Sequence, residues 1–194
     1  MIQSRDKNRF WLPLMAVLAM FVASCSSSWL PAEFKLKRVL HQTKTAHIVG
    51  PGGINQSFTV YELPQDVATT IADKGLPYLN SLPTDDKKIS TTTGPWWGPF
   101  SHWQATPVPA EKAWLRYGRD LENGWKPSLT SFYISYKGDN TKNDFISMIP
   151  PEFSSAFHEA ISMPGNFYAY GDYRGVCLVV VSPKMGKVFY LFRD

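Results

Sequence analysis

Three kinds of apolar pattern run along the chain. The first is a solid block, Trp11–Val22 (WLPLMAVLAMFV), about a dozen residues without a charge. The second recurs every three to four residues, the period of a helix with one buried face. Leu63, Val67 and Ile71, with Ala68 and Ala72 beside them, predict a helix over Leu63–Lys74 that Pro64 opens and Gly75 closes. Ala110, Ala113, Trp114 and Tyr117 predict another over Pro109–Tyr117, and Phe153, Ala156, Phe157, Ala160 and Ile161 a third over Pro151–Met163, ended by Pro164-Gly165. The third pattern belongs to strands. Phe34–Leu40 and Thr45–Val49 lead to the turn Gly50-Pro51-Gly52-Gly53 and then to Ser57–Glu62, which predicts a hairpin. In Ser131–Tyr136, Phe132, Ile134 and Tyr136 alternate with Ser131, Tyr133 and Ser135, and Asn166–Tyr170 follows as a further strand. Val176–Val181 (VCLVVV) is apolar throughout, as a strand covered on both faces must be. Ser182–Gly186 turns the chain back into Val188–Phe192. The expected class is α+β: an antiparallel sheet, made of a C-terminal three-strand meander and an N-terminal hairpin, packed with two to three short helices.

The solid block falls short of the roughly 20 apolar residues that a bilayer-spanning helix needs. Arg5, Lys7 and Arg9 precede it against a single Asp6, and the small residues Ala23 and Ser24 follow it, which is the anatomy of a secretory signal peptide. The small residues end on Cys25. Val22-Ala23-Ser24-Cys25 resembles the lipobox of bacterial lipoprotein precursors, usually Leu-Ala-Gly/Ala-Cys, with Val standing where Leu is usual. The resemblance covers only the leader. It implies a thioether-linked diacylglycerol on the Cys25 sulfur, cleavage before Cys25, and acylation of the new amino group, commonly with palmitate. Two or three acyl chains make an effectively permanent anchor, which one chain does not. The implied organisation is a signal peptide over 1–24, a lipidated N-terminus and tether over 25–33, and one globular domain over 34–194. Ser26, where an aspartate would signal retention at the inner membrane, points to the outer membrane facing the periplasm in a Gram-negative source. An ordinary signal peptide cut near the same point, with Cys25 incidental, is the competing reading.

Removal of residues 1–24 leaves 170 residues, enough for one domain with a core of its own. The leader takes three of the 20 basic and one of the 16 acidic residues with it, so the remainder carries about +2. That charge, without a basic stripe, is no nucleic-acid footprint. With Cys25 consumed, Cys177 stands alone and no internal disulfide forms.

Chemistry-bearing residues are few. Gly94–Trp103 (GPWWGPFSHW) places Trp96, Trp97, Phe100 and Trp103 on a loop that its Gly-Pro pairs keep from being helical. Exposed, these rings would stack on sugars, anchor a protein partner or rest among lipid headgroups. Folded back, they would plug the core, since each hides about 150–250 Å². Cys177 sits inside an apolar strand, where a thiol is inert. His158-Glu159-Ala160-Ile161-Ser162 starts like a zinc-protease helix but has Ser162 in place of the second histidine. His41, His47 and His102 share no metal-ligand spacing. Asp139, Asn140, Asn143 and Asp144 lack the glycine and terminal glutamate of a calcium loop and read as a polar turn. Gly50–Gly53 has no following Lys-Ser/Thr, and no Gly-x-Ser-x-Gly elbow occurs. Glu62, Glu111, Glu152 and Asp172 are the acids open to a hidden carboxylate pair, and nothing selects among them. No catalytic residue, metal ligand or cofactor is therefore named.

The expectation is a lipid-anchored envelope protein that binds another protein, as an assembly component or as an inhibitor or immunity-type partner. A glycan- or peptidoglycan-binding module using the tryptophan loop is the second reading, and a cell-wall or lipid hydrolase the third. Exposed tryptophans lining a groove favour the glycan, two carboxyls in one cleft the hydrolase, and an apolar patch with neither feature a protein partner.

Overall fold

The computed structural model describes residues 30–46, 55–83, 100, 102–109, 127–133, 144–171 and 177–193. After a 3-10 turn at Ala32–Phe34, the elements run β1 (Val39–Ala46), β2 (Asn55–Glu62), α1 (Gln65–Asn80), β3 (Gln104–Ala105), α2 (Leu129–Tyr133), α3 (Asp144–Ser147), α4 (Pro151–Ser162), β4 (Phe167–Gly171), β5 (Cys177–Ser182) and β6 (Lys187–Arg193). All strand pairs are antiparallel, in the order β1-β2-β6-β5-β4-β3. The hairpin β1–β2 thus joins the meander β4–β5–β6 through β2 and β6, and the fold is α+β.

Alternation along the strands sends side chains to two separate cores. On one face Phe58, Val60, Leu178, Val180, Phe189 and Leu191 meet α2, α3 and α4 through Phe132, Tyr133, Phe145, Phe157 and Ile161. On the other, Tyr61, Val179, Val181 and Val188 meet Leu30, Phe34, α1 and the aromatic pair Phe100 and Trp103. Every residue of β5 is buried, as the unbroken apolar run predicts for a strand between two layers.

The helix expected at Pro151–Met163 forms over Pro151–Ser162 and buries Phe157, Ala160 and Ile161. The one expected at Leu63–Lys74 also forms, but Gly75 does not end it. Gly75 takes φ 57° and ψ −142°, a kink that glycine tolerates, and the chain then winds on to Asn80. Leu79 is thereby carried into the core.

Two strand expectations are corrected. The stretch predicted as strand Ser131–Tyr136 begins as helix α2. Ser128 and Ser131 cap one another, each backbone N–H donating to the other's Oγ, at 2.6 and 3.1 Å. Leu129, Phe132 and Tyr133, at helical spacing, are all buried. At Phe34–Leu40 the strand starts only at Val39, because Phe34 closes a turn by donating to the Pro31 carbonyl at 3.0 Å and Lys35 follows at φ 45°. Leu30 and Phe34, on either side of this turn, are buried in the second core. The turn at Gly50–Gly53, the helix over Pro109–Tyr117 and the polar turn at Asp139–Asp144 fall wholly or mostly outside the described residues. Among the described residues, no helix is long and apolar enough to cross a membrane.

A depression over Trp103 as candidate functional site

The site is built where α1 ends. Winding past Gly75 brings Asn80 to the segment after Phe100. The Trp103 backbone N–H donates to Asn80 Oδ1 at 2.9 Å, and Asn80 Nδ2 donates to the Trp103 carbonyl at 3.4 Å. Gln104 is fixed from the sheet, accepting from the Tyr168 hydroxyl at 2.6 Å. Between these residues lies an open depression of about 390 Å³, lined by Leu79, Asn80, Leu82, Phe100, His102, Trp103 and Gln104. Its floor is apolar and buried; its rim is the exposed polar trio Asn80, His102 and Gln104. A concave apolar floor with a few polar groups around it is the usual form of a recognition site. His102 holds φ 58°, a left-handed conformation that costs a non-glycine residue energy and is often found at functional positions.

The aromatic loop divides. Phe100 and Trp103 are 5% and 3% exposed, so neither offers a ring face to solvent. Trp103 meets Phe34 edge-on at 5.8 Å between ring centres, and Phe100 meets Tyr190 edge-on at 6.2 Å. Phe100 also bridges to Gly171, where a Cβ would stand 2.8 Å from that of Cys177, so only glycine lets the segments close. Trp103 Nε1 is shut off from the depression and has no hydrogen-bond partner among the described residues. Trp96, Trp97, Cys25 and His47 lie outside the described residues.

The other candidates are occupied structurally. Burial pushes the Cys177 thiol up to about 12, and its sulfur lies 3.7 Å from the Tyr190 hydroxyl. It is therefore a thiol, not a thiolate, at neutral pH. His158 Nε2 accepts the Leu129 N–H at 3.3 Å, which ties α4 to α2 and uses the lone pair that a metal would take. Glu62 pairs with Arg38 at 2.6 Å on the surface, and Glu152 stands exposed in the first turn of α4, while Glu111 and Asp172 lie outside the described residues. Among the described residues no group of three His, Cys, Asp or Glu side chains is placed to hold a metal ion. Sequence reasoning weighs His102 only as a metal ligand and misses Asn80 and Gln104, which are ordinary polar residues until the kink at Gly75 and the β3–β4 pairing bring the three together.

The histidines have a consequence for stability. His41 stacks on Phe153 at 4.9 Å, and burial lowers its pKa from 6.5, partly opposed by the nearby Glu152 carboxylate. Burial lowers His158 as well. A base whose folded pKa is depressed contributes stability that is fully present above its unfolded value and is lost as pH falls towards the folded value. Urea midpoints are expected to be level above about pH 7 and to fall as pH drops through 6.5. His158→Gln, whose amide oxygen still accepts from Leu129, should flatten part of that fall; an unchanged slope would mean His158 does not contribute.

No protein-family model matches the chain, and neither a curated protein nor a solved structure matches it.

Proposed function

We propose that the mature protein is held to the cell envelope by acyl chains on Cys25 and acts there without catalysis, by binding another protein through the depression over Trp103. The leader supports the anchor: a basic flank, a short apolar block and Val22-Ala23-Ser24-Cys25. The lining of the depression carries the binding reading. The described residues that line it bring no carboxylate, thiol or hydroxyl, and combine an apolar floor with the hydrogen-bonding side chains of Asn80, His102 and Gln104. Such a surface suits one apolar side chain of a partner, flanked by its backbone groups, because hot spots are apolar anchors seated in a polar rim. The burial of Phe100 and Trp103 removes two of the four rings that a sugar-stacking platform would have used.

The test is affinity purification from native envelopes, with the parent chain compared with His102→Gly. Glycine removes the rim imidazole and suits φ 58°, so stability should stay within about 1 kcal/mol of the parent, on the higher side. Partner recovery should fall about tenfold. Equal recovery with both chains would place the contact elsewhere. The N-terminal peptide from the same preparation is expected to begin at Cys25 and carry the acyl mass, and Cys25→Ser should release the protein from the membrane fraction.

A further inference from the structure

One end of the sheet gathers positive charge. The Lys37 backbone N–H donates to the Glu62 carbonyl at 3.4 Å, and the Glu62 N–H donates to the Arg38 carbonyl at 2.9 Å. Glu62 stands opposite Lys187 in the ladder, and the Leu63 N–H donates to the Gly186 carbonyl at 2.9 Å, in the turn that carries Lys184. Lys35, Lys37, Arg38, Lys184 and Lys187 therefore share this end, all exposed except the half-buried Lys187. Among the described residues the acidic groups on these segments are Glu33, Asp66 and Glu62, the last neutralised by Arg38, which leaves four lysines against two carboxylates. Helix α4, on the face of the first core, carries Glu152 and Glu159, both exposed, and no lysine or arginine; Glu152 stands near His41 of β1 and is the next acid towards this end. A net charge near +2 thus conceals a body with a positive end.

The first described segment runs into that end through Lys35 and Lys37. Leu30 is already buried, and Cys25 is five peptide units before it, a reach of roughly 18 Å at full extension. Lys35 follows ten residues after Cys25.

We propose that the sheet end bearing Lys35, Lys37, Lys184 and Lys187 is a contact surface for the anionic phospholipid headgroups of the bilayer that holds the anchor, an inference that rests on the lipoprotein reading of Cys25. Acyl chains on Cys25 keep this end permanently within reach of the surface. Lysines near an anionic bilayer are attracted over about a Debye length, some 8 Å in physiological salt. The attraction adds little to retention, which the acyl chains provide. Its effect is orientation. Phe34 links the entry segment to Trp103, so seating the lysines fixes how the depression faces relative to the membrane.

The test uses the lipidated mature protein, reconstituted into phosphatidylcholine vesicles with and without about one-third phosphatidylglycerol. A water-soluble amine reagent and peptide mass spectrometry read each lysine. Lys44, seven residues after Lys37 and towards the other end of β1, serves as the internal control. Labelling of Lys35, Lys37 and Lys184 relative to Lys44 is expected to fall at least about threefold in the anionic vesicles and to recover in high salt. Acylated protein labelled equally in both vesicle types overturns the contact surface and leaves the anchor standing. Protection found in native envelopes but not in anionic vesicles overturns it in favour of an acidic protein. A Cys25 peptide without acyl mass overturns surface and anchor together.

Discussion

Trp103→Ala is expected to destabilise the protein by about 3–5 kcal/mol, whereas Trp103→Phe should cost little. The ring is 3% exposed, packs edge-on against Phe34 and floors the second core beneath α1. Truncation to alanine leaves a cavity that Phe34, Leu79 and Phe100 cannot fill without leaving their own contacts. Phenylalanine keeps most of the volume and removes the buried indole N–H, which has no partner among the described residues. An unsatisfied buried donor costs about 1–3 kcal/mol, comparable to the packing that the smaller ring gives up. For a chain of this size the alanine variant should melt roughly 10 °C lower. A melt shifted by less than about 3 °C would mean that Trp103 is not a core residue, and the depression would lose its floor. The pair of variants also separates stability from binding. If the tryptophan acted as a sugar platform, Trp103→Phe would retain stacking and Trp103→Ala would lose binding without losing stability.

The sheet and its two principal helices are legible in the sequence because their signals are local. The run Val176–Val181 admits few alternatives to a doubly covered strand, and the stripe Phe153, Ala156, Phe157, Ala160, Ile161 runs three turns between clear stops. The misreading at Ser131–Tyr136 has an equally local cause. Phe132, Ile134 and Tyr136 alternate, while Leu129, Phe132 and Tyr133 also satisfy the helical period, and the Ser128–Ser131 caps decide for helix α2. A short segment that fits both periods is resolved by its termini and by what it packs against. The candidate site is less legible for a different reason. Its floor comes from the tryptophan loop, which composition singles out, but its rim depends on long-range pairing. Asn80 reaches Trp103 across 23 positions, and Gln104 reaches Tyr168 across 64.

The same long-range logic makes Asn166 the polar residue with the most to lose. It is buried at the junction of α4 and β4, and its Nδ2 donates to the carbonyls of Ala160 and Met163 at 3.0 and 3.1 Å. Its backbone N–H donates to Thr106 Oγ1 at 3.3 Å, and its carbonyl accepts from the Thr106 N–H at 3.0 Å. The single hydroxyl proton of Thr106 goes to the Met163 carbonyl, 2.5 Å away. One amide thus closes the end of α4 and ties the segment after β3 to it. Asn166→Asp preserves the shape and reverses the chemistry. A carboxylate would face two carbonyl oxygens at the negative end of a helix, with no proton to give either. The expected cost at pH 7 is about 3–5 kcal/mol, the range for an uncompensated buried charge. The sign of its pH dependence follows. The carboxyl's folded pKa would be raised above the unfolded value, so the variant's deficit should be smallest below that unfolded value, about pH 4, and should grow as pH rises through the folded one. Protonated, the side chain can donate to one of the two carbonyls again. Urea midpoints of variant and parent, compared at pH 4 and pH 7, check this: a deficit that does not shrink in acid would mean that the amide's donors are not what holds the junction.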